Sequence, residues 1–233
     1  KHKGPERKLD APAETPPVLA LIHKPGQVQS QIGLVLPGAL RSNPDYWKMG
    51  LLMSVFGGSD SLLYNRLRND LGLVYAAWFF QTYKWKAGML AGYIGCEGSG
   101  TADAIRETLK IMSGLRSEIP EKDLEDKRLD ALNSFVFNVD TPSELVGIYA
   151  RYYMIEEPLD TLERIQDAYM AAREEELSGL ARKYLDPKKI QIFVVADKTT
   201  RVEMKGGKEG SLERALMTLA EELGLPFKEI ALR

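Results

Sequence analysis

Residues 56–75 read FGGSDSLLYNRLRNDLGLVY. A glycine pair and two small polar residues lead into a helical stretch that carries Arg66 and Arg68. Gly72 follows, and then a run patterned like the start of a strand, with Tyr75 near its beginning. Arg68 and Tyr75 are seven residues apart with Gly72 between them. The stretch is either an ordinary helix-to-strand connection or one that holds two hydrogen-bond donors against a ligand. Residue types alone leave both open, since a helical Arg is most often a surface charge and an early-strand Tyr most often half-buried packing.

The other chemistry-bearing residue types narrow the field. Histidine occurs only at His2 and His23, and a zinc site needs three or four converging ligands, so neither is expected to bind metal. There is no H-x-x-E-H, no H-E-x-x-H and no G-x-S-x-G elbow. Cys96 is the single cysteine, which excludes an internal disulfide and a cysteine metal cluster. FGGSDS lacks the G-K-[ST] ending of a phosphate loop. GCEGSG (95–100) before a helix could seat an anion, but it lacks the spacing of a dinucleotide fingerprint. The carboxylates of REEE and EKDLEDK fall on solvated helix faces. Taken alone, the chain shows no self-sufficient catalytic centre.

With 31 Lys and Arg against 33 Asp and Glu, the net charge of −2 argues against a general nucleic-acid binder. The basic start KHKGPERK reads as a solvated tail. No apolar run reaches the ~18 residues of a membrane span. No signal peptide is visible, and a chain that begins with Lys leaves its compartment open, periplasmic or cytoplasmic if bacterial.

The elements that must position Arg68 and Tyr75 follow from periodicity. Residues 1–17 form an extended lead-in. VLALIHK (18–24) is a buried strand, and VQSQIGLVLPG (28–38) alternates, with Val28, Ser30, Ile32, Leu34 and Leu36 on one face. SNPDYWKMGLLMSVF (42–56) begins with a cap signal and packs Trp47, Leu51 and Val55 at helical spacing. Residues 73–83 and 87–96 form an antiparallel hairpin across the link KWK, with glycines that weaken the second strand or place a bulge in it.

Helices then dominate. Ile105, Leu109, Met112 and Leu115 line the helix 101–118; Leu124, Leu129, Leu132 and Phe135 line 121–139. TPSE (141–144) is a capping box that opens a helix to about Ile155. A further helix follows Pro158, another spans 173–185, and KIQIFVVA (189–196) is a strand. Residues 199–210 read as a loop, and 211–223 as a last helix closed by Gly224 and Pro226. The order implies an α+β fold: a two-layer sandwich of one largely antiparallel sheet with helices packed on one face.

Gly57-Gly58-x-x-Ser61-Leu62-Leu63-x-x-Arg66-Leu67-Arg68-x-x-x-Gly72-Leu73-x-Tyr75 resembles a signature of the pitrilysin/insulinase superfamily of zinc metallopeptidases, which includes the mitochondrial processing peptidase. HKPGQVQSQIGLVLPG (23–38), NPDYWKMGLLMSVFGG, EIPEKDLEDKRLDALNSF and ARKYLDPKKIQIFVVAD resemble further ordered segments of the family's second domain. The resemblance covers residues 18–198, with 199–233 as a loop and C-terminal helix on the same domain. Ser59-Asp60 stands where many members have small residues, and Ala196 where they have glycine.

The resemblance implies the substrate-binding, non-zinc half of a zinc endopeptidase, inactive alone. Zinc, its water and the general-base glutamate would lie on a homologous H-x-x-E-H domain or subunit, so no metal or cofactor is expected on this chain. Arg68 and Tyr75 would be the catalytic pair: Arg68 donating to a substrate backbone carbonyl, Tyr75 to the scissile carbonyl or its oxyanion. Gly57, Gly58, Ser59 and Ser61 would line the bound, extended peptide. A non-catalytic structural or peptide-binding subunit of the same family is the alternative.

Overall fold

The computed structural model describes residues 15–84, 87–138, 141–204 and 206–231, without the side chains of 83–84 and 135–138. The basic start with His2, the hairpin link at 85–86 and the Phe135 side chain lie outside the described residues.

In chain order the elements are β1 (Val18–His23), β2 (Gln29–Gly38), α1 (Asp45–Gly57), α2 (Leu62–Tyr64) continuing into a wide turn (Asn65–Asp70), β3 (Val74–Lys84) and β4 (Ala87–Glu97). They continue with α3 (Thr101–Leu115), α4 (Glu121–Asn138), α5 (Pro142–Met154), α6 (Thr161–Ala171) and α7 (Glu174–Tyr184). The last are β5 (Gln191–Ala196), β6 (Arg201–Met204), β7 (Lys208–Ser211), α8 (Leu212–Leu223) and β8 (Phe227–Ile230).

Six strands form one sheet in the order β3-β4-β2-β5-β1-β8. The pairs β3–β4, β4–β2 and β2–β5 are antiparallel, while β1 is parallel to both β5 and β8. The period of two in β2 buries Ser30, Ile32, Leu34 and Leu36 as expected, whereas Val28 precedes the strand and is exposed. Helices cover one face, giving the expected α+β sandwich. α1 runs through the middle of that layer, with Met49, Leu51, Leu52, Val55 and Phe56 all buried, and Trp47 half-buried. The α3 face is buried at Ile105, Leu109, Met112 and Leu115. The capping box is present: Thr141 N donates to Glu144 Oε2 at 2.9 Å and Glu144 N to Thr141 Oγ1 at 3.3 Å.

Three expectations change. The stretch 199–210 is not a simple loop, because β6 and β7 pair as an antiparallel ribbon from Arg201↔Ser211 to Met204↔Lys208. The tail is not only helical: after Gly224, in the left-handed region at φ +66°, the chain returns as β8 beside β1. In α4 the buried line runs through Leu124 and the partly buried Lys127, Arg128, Ala131 and Leu132, while Leu129 turns to solvent at 57% exposure. The long stems of Lys127 and Arg128 cover apolar surface while their heads reach backbone carbonyls of Ser59 and Ala172.

A close approach in the core brings the end of α1 onto β3. A Cβ at Gly57 would run into Phe79 Cβ and the Phe79 backbone, and one at Gly92 on β4 would run into the Phe79 ring. Phe79 also packs on Phe56, ring centroids 5.0 Å apart. Gly57→Ala should therefore lower stability by roughly 1–3 kcal/mol through overpacking. Gly114→Ala, on α3 with no neighbour within 4 Å, should instead be neutral or raise it by up to ~1 kcal/mol; urea denaturation distinguishes the two. Cys96 is fully buried, and burial pushes its thiol up to about 11. An aromatic disulfide reagent at neutral pH should label it only at the rate of unfolding, and at once in denaturant.

Candidate functional site

Three successive departures from regular backbone carry Arg68 and Tyr75. Ser61 is buried and caps α2, its Oγ accepting from Tyr64 N at 3.2 Å. The helix then widens over Asn65–Asp70, where Leu71 N donates to Arg66 O, five residues back, at 3.2 Å. Such π-type turns gather at functional sites. Gly72 reverses the chain at φ +62°, and Leu73 N ties back to Leu67 O at 2.9 Å.

The third departure is a bulge. Val74 pairs with Cys96 and Ala76 with Gly95, which leaves Tyr75 as an extra residue in β3. The sequence places an irregularity in this hairpin but assigns it to the glycine-rich β4. The extra residue lies in β3 instead, opposite the Gly95–Cys96 step. A bulge re-aims a side chain, and here Val74 and Ala77 stay buried while Tyr75 is 46% exposed.

The two arginines have different surroundings. Arg66 is held at the surface by Glu107, with Nε–Oε2 at 3.3 Å, and by Asp70, with Nη1–Oδ2 at 3.4 Å. Arg68 has no carboxylate partner among the described residues; its Nη1 donates to Val74 O at 2.9 Å, at the mouth of the bulge. Leu63 and Leu67, both fully buried, anchor the opposite side of this segment. Tyr75 Oη donates to Glu97 Oε1 at 3.0 Å. That bond, to the last residue of β4, raises the Tyr75 phenol above its ordinary value; Arg68 opposes the shift weakly.

The glycine-rich link divides into packing and exposed parts. Gly57 is buried against Phe79 and Ser61 is the buried cap, whereas Gly58 is half-buried and Ser59 exposed. Lys127 Nζ donates to Ser59 O at 2.7 Å, and Asn65 Nδ2 to Asp60 O at 3.3 Å, so the link is held from α4 and from the wide turn.

Sequence reasoning passed over several neighbours. Trp78 and Phe80 share the outward face of β3 with Tyr75, at 43% and 45% exposure, and Trp78 stacks on Tyr93 with ring centroids 4.4 Å apart. The signal available was WFF in alternation, with one apolar residue in two facing away from the core. GCEGSG, considered for an anion, supplies Glu97 instead. Its Gly98–Gly100 turn is tied down where Thr101 Oγ1 donates to Gly98 O at 2.8 Å and shares a hydrogen bond with buried Ser30 Oγ at 2.6 Å.

No metal site is built from these residues: among the described residues, no group of three or more His, Cys, Asp and Glu could hold an ion. His23 Nδ1 accepts from Lys198 N at 3.2 Å. No described helix is long and apolar enough to cross a membrane.

The family model of the peptidase M16 inactive domain matches residues 1–129. The chain belongs to that family, as an inactive C-terminal domain of the M16 zinc proteases. An uncharacterized zinc protease of Streptomyces coelicolor is 28% identical over 102 residues, 43% of this chain and 21% of that protein. A solved M16 inactive domain from Pseudomonas fluorescens superposes with a TM-score of 0.74 at 20% identity, over 81% of this chain and 46% of that one. A protease from Helicobacter pylori gives 0.75 at 18% identity, over 84% and 48%. An inactive peptidase domain from Bordetella parapertussis gives 0.62 at 13% identity, over 72% and 92%. These likenesses show the fold. The chain spans about a fifth of the Streptomyces protein and just under half of the first two solved chains.

Gly72→Ala places a side chain in the left-handed region and should cost about 1–2 kcal/mol. The same change at Gly33, mid-strand with open space, should cost less than ~0.5 kcal/mol; chemical denaturation of both variants checks the contrast.

Proposed function

We propose that this chain is the substrate-binding half of a zinc endopeptidase, presenting Arg68 and Tyr75 to a zinc site on a homologous H-x-x-E-H partner domain or subunit. The observation that carries the reading is the bulge that turns Tyr75 out of the sheet beside Arg68. Both side chains are exposed, and neither is needed to fill the core.

In this reading the substrate is an extended peptide. Tyr75 donates its single phenolic proton to the scissile carbonyl, and more strongly to the oxyanion that develops there. Arg68, whose planar fork has five N–H donors, keeps one on Val74 O and offers others to a substrate backbone carbonyl. Gly58 and Ser59 present the exposed edge of the link to the peptide, while Gly57 and Ser61 hold that link in shape. Trp78 and Phe80 extend the same outward face and give apolar peptide side chains a surface to pack on. Zinc, when bound on the partner half, polarises the carbonyl and activates water. Among the described residues no group of three or more His, Cys, Asp and Glu could hold an ion, and in this reading that chemistry is supplied by the partner. Having both Arg68 and Tyr75 poised weighs against a purely structural subunit.

The isolated chain should not hydrolyse peptides, and adding the zinc-bearing half should restore cleavage. In that complex, Tyr75→Phe and Arg68→Ala should each lower turnover, by about 10²–10³-fold where one oxyanion donor is lost, while Arg66→Ala stays near wild type. Steady-state peptide cleavage checks this. Wild-type rates for both variants would remove the proposed roles, and a folded but inactive mixture at every zinc level would remove the reading.

A further inference from the structure

We infer that Glu97 is a positioning residue that holds the Tyr75 hydroxyl in place for the bound peptide. The kinetic part of this inference rests on the function proposed above; the contact itself does not.

Tyr75 stands in a bulge on the edge strand, with its ring half open to water. Fixing a side chain that would otherwise sample several rotamers costs entropy. A donor must be aimed before the reaction if it is to act without reorganisation. Tyr75 gains its aim from one polar contact, Oη to Glu97 Oε1 at 3.0 Å.

Glu97 is well placed to serve as a fixed post. It ends β4, where its backbone pairs with Gln29 of β2. The next residue, Gly98, donates its N–H to Val28 O at 3.2 Å, and Gly98 O accepts from Thr101. Thr101 is itself buried and locked to Ser30. A Cβ at Gly98 would come within 2.9 Å of Thr200, so the turn is closely packed on its far side as well. The exposed Glu97 carboxylate therefore projects from backbone tied to β2 and to the Gly98–Thr101 turn, while the phenol projects from a bulge.

The contact also discriminates between acceptors. A phenol has one proton to give. A neutral peptide carbonyl competes poorly with a carboxylate for it, whereas a developing oxyanion competes well, because charged acceptors make the stronger bonds. Glu97 thus keeps Tyr75 aimed in the free chain and makes its transfer to substrate most favourable as charge develops, which is the condition for accelerating a step rather than merely binding tightly. The raised phenol pKa keeps that proton on Tyr75.

The test has two arms. In the first, the chain is labelled with carbon-13 at the tyrosine Cζ, and the Tyr75 signal is assigned with Tyr75→Phe and titrated. Glu97→Gln should move the Tyr75 midpoint to lower pH, since the negative charge that opposes ionisation is gone. In the second, the chain is paired with its zinc-bearing half. Glu97→Ala should lower kcat about tenfold with KM little changed, as expected for a misaimed catalytic group. Glu97→Gln, which keeps an acceptor oxygen, should recover most of it. In a Tyr75→Phe background, Glu97→Ala should cost nothing further.

An unmoved titration overturns the contact. An unchanged kcat in Glu97→Ala, with Tyr75→Phe impaired, overturns the positioning role and leaves the proposed function standing. An equal loss from Glu97→Ala with and without the Tyr75 hydroxyl assigns Glu97 to something other than Tyr75. Full turnover in Tyr75→Phe itself removes the role together with the function it serves, whatever the titration shows.

Discussion

The close seating of Phe79 between two glycines sets the geometry on which the rest depends. Gly57 at the end of α1 and Gly92 on β4 leave no room for a Cβ beside that ring. The end of α1 is thereby seated directly on β3 at the point where the chain leaves the helix for the link at Gly58–Ser61. Packing at crystal-like density transmits such a constraint rather than absorbing it. The link must then start close to β3, and the segment that returns to β3 has little space in which to turn.

The segment solves that problem with a widened helical turn, a left-handed Gly72 and a one-residue bulge. Each is a small departure from regular backbone, and the widened turn and the bulge each leave a polar side chain outward beside an apolar neighbour in the core. Leu67 is buried where Arg68 is exposed, and Val74 is buried where Tyr75 is exposed. The chemistry of the face follows from this alternation. It offers donors from Arg68 and Tyr75, an acceptor at Glu97, and the aromatic surface of Trp78 and Phe80. Among the described residues it has no metal ligand set.

Most of the architecture was legible in the sequence because it rests on strong periodic signals. The alternation of β2, the face of α3 and the capping box at Thr141–Glu144 all appear where pattern places them. The misses share a different physical origin. β6, β7 and β8 are each four residues long, too short for a period to register; β8 is held by pairing with distant β1, and β6 and β7 by pairing with each other. Leu129 faces solvent because Lys127 and Arg128 use their stems in its place, a substitution that apolar counting does not see. At the site, the family resemblance singled out Arg68 and Tyr75, but the bulge at Tyr75 and its contact with Glu97, 22 residues away, are tertiary facts. Gly57 was expected beside a bound peptide and the β4 glycines to weaken or bulge that strand; in the structure Gly57 and Gly92 give clearance for Phe79.

The central claim is that Arg68 and Tyr75 face a peptide shared with a zinc-bearing half. Photo-crosslinking tests it most directly, with Tyr75→p-benzoylphenylalanine and Arg66→p-benzoylphenylalanine compared in the reconstituted pair in the presence of a labelled peptide. Capture of the peptide from position 75 and not from position 66, dependent on the partner half, is the result predicted. Equal capture from both positions, or none from position 75 while the pair still binds peptide, would contradict the account.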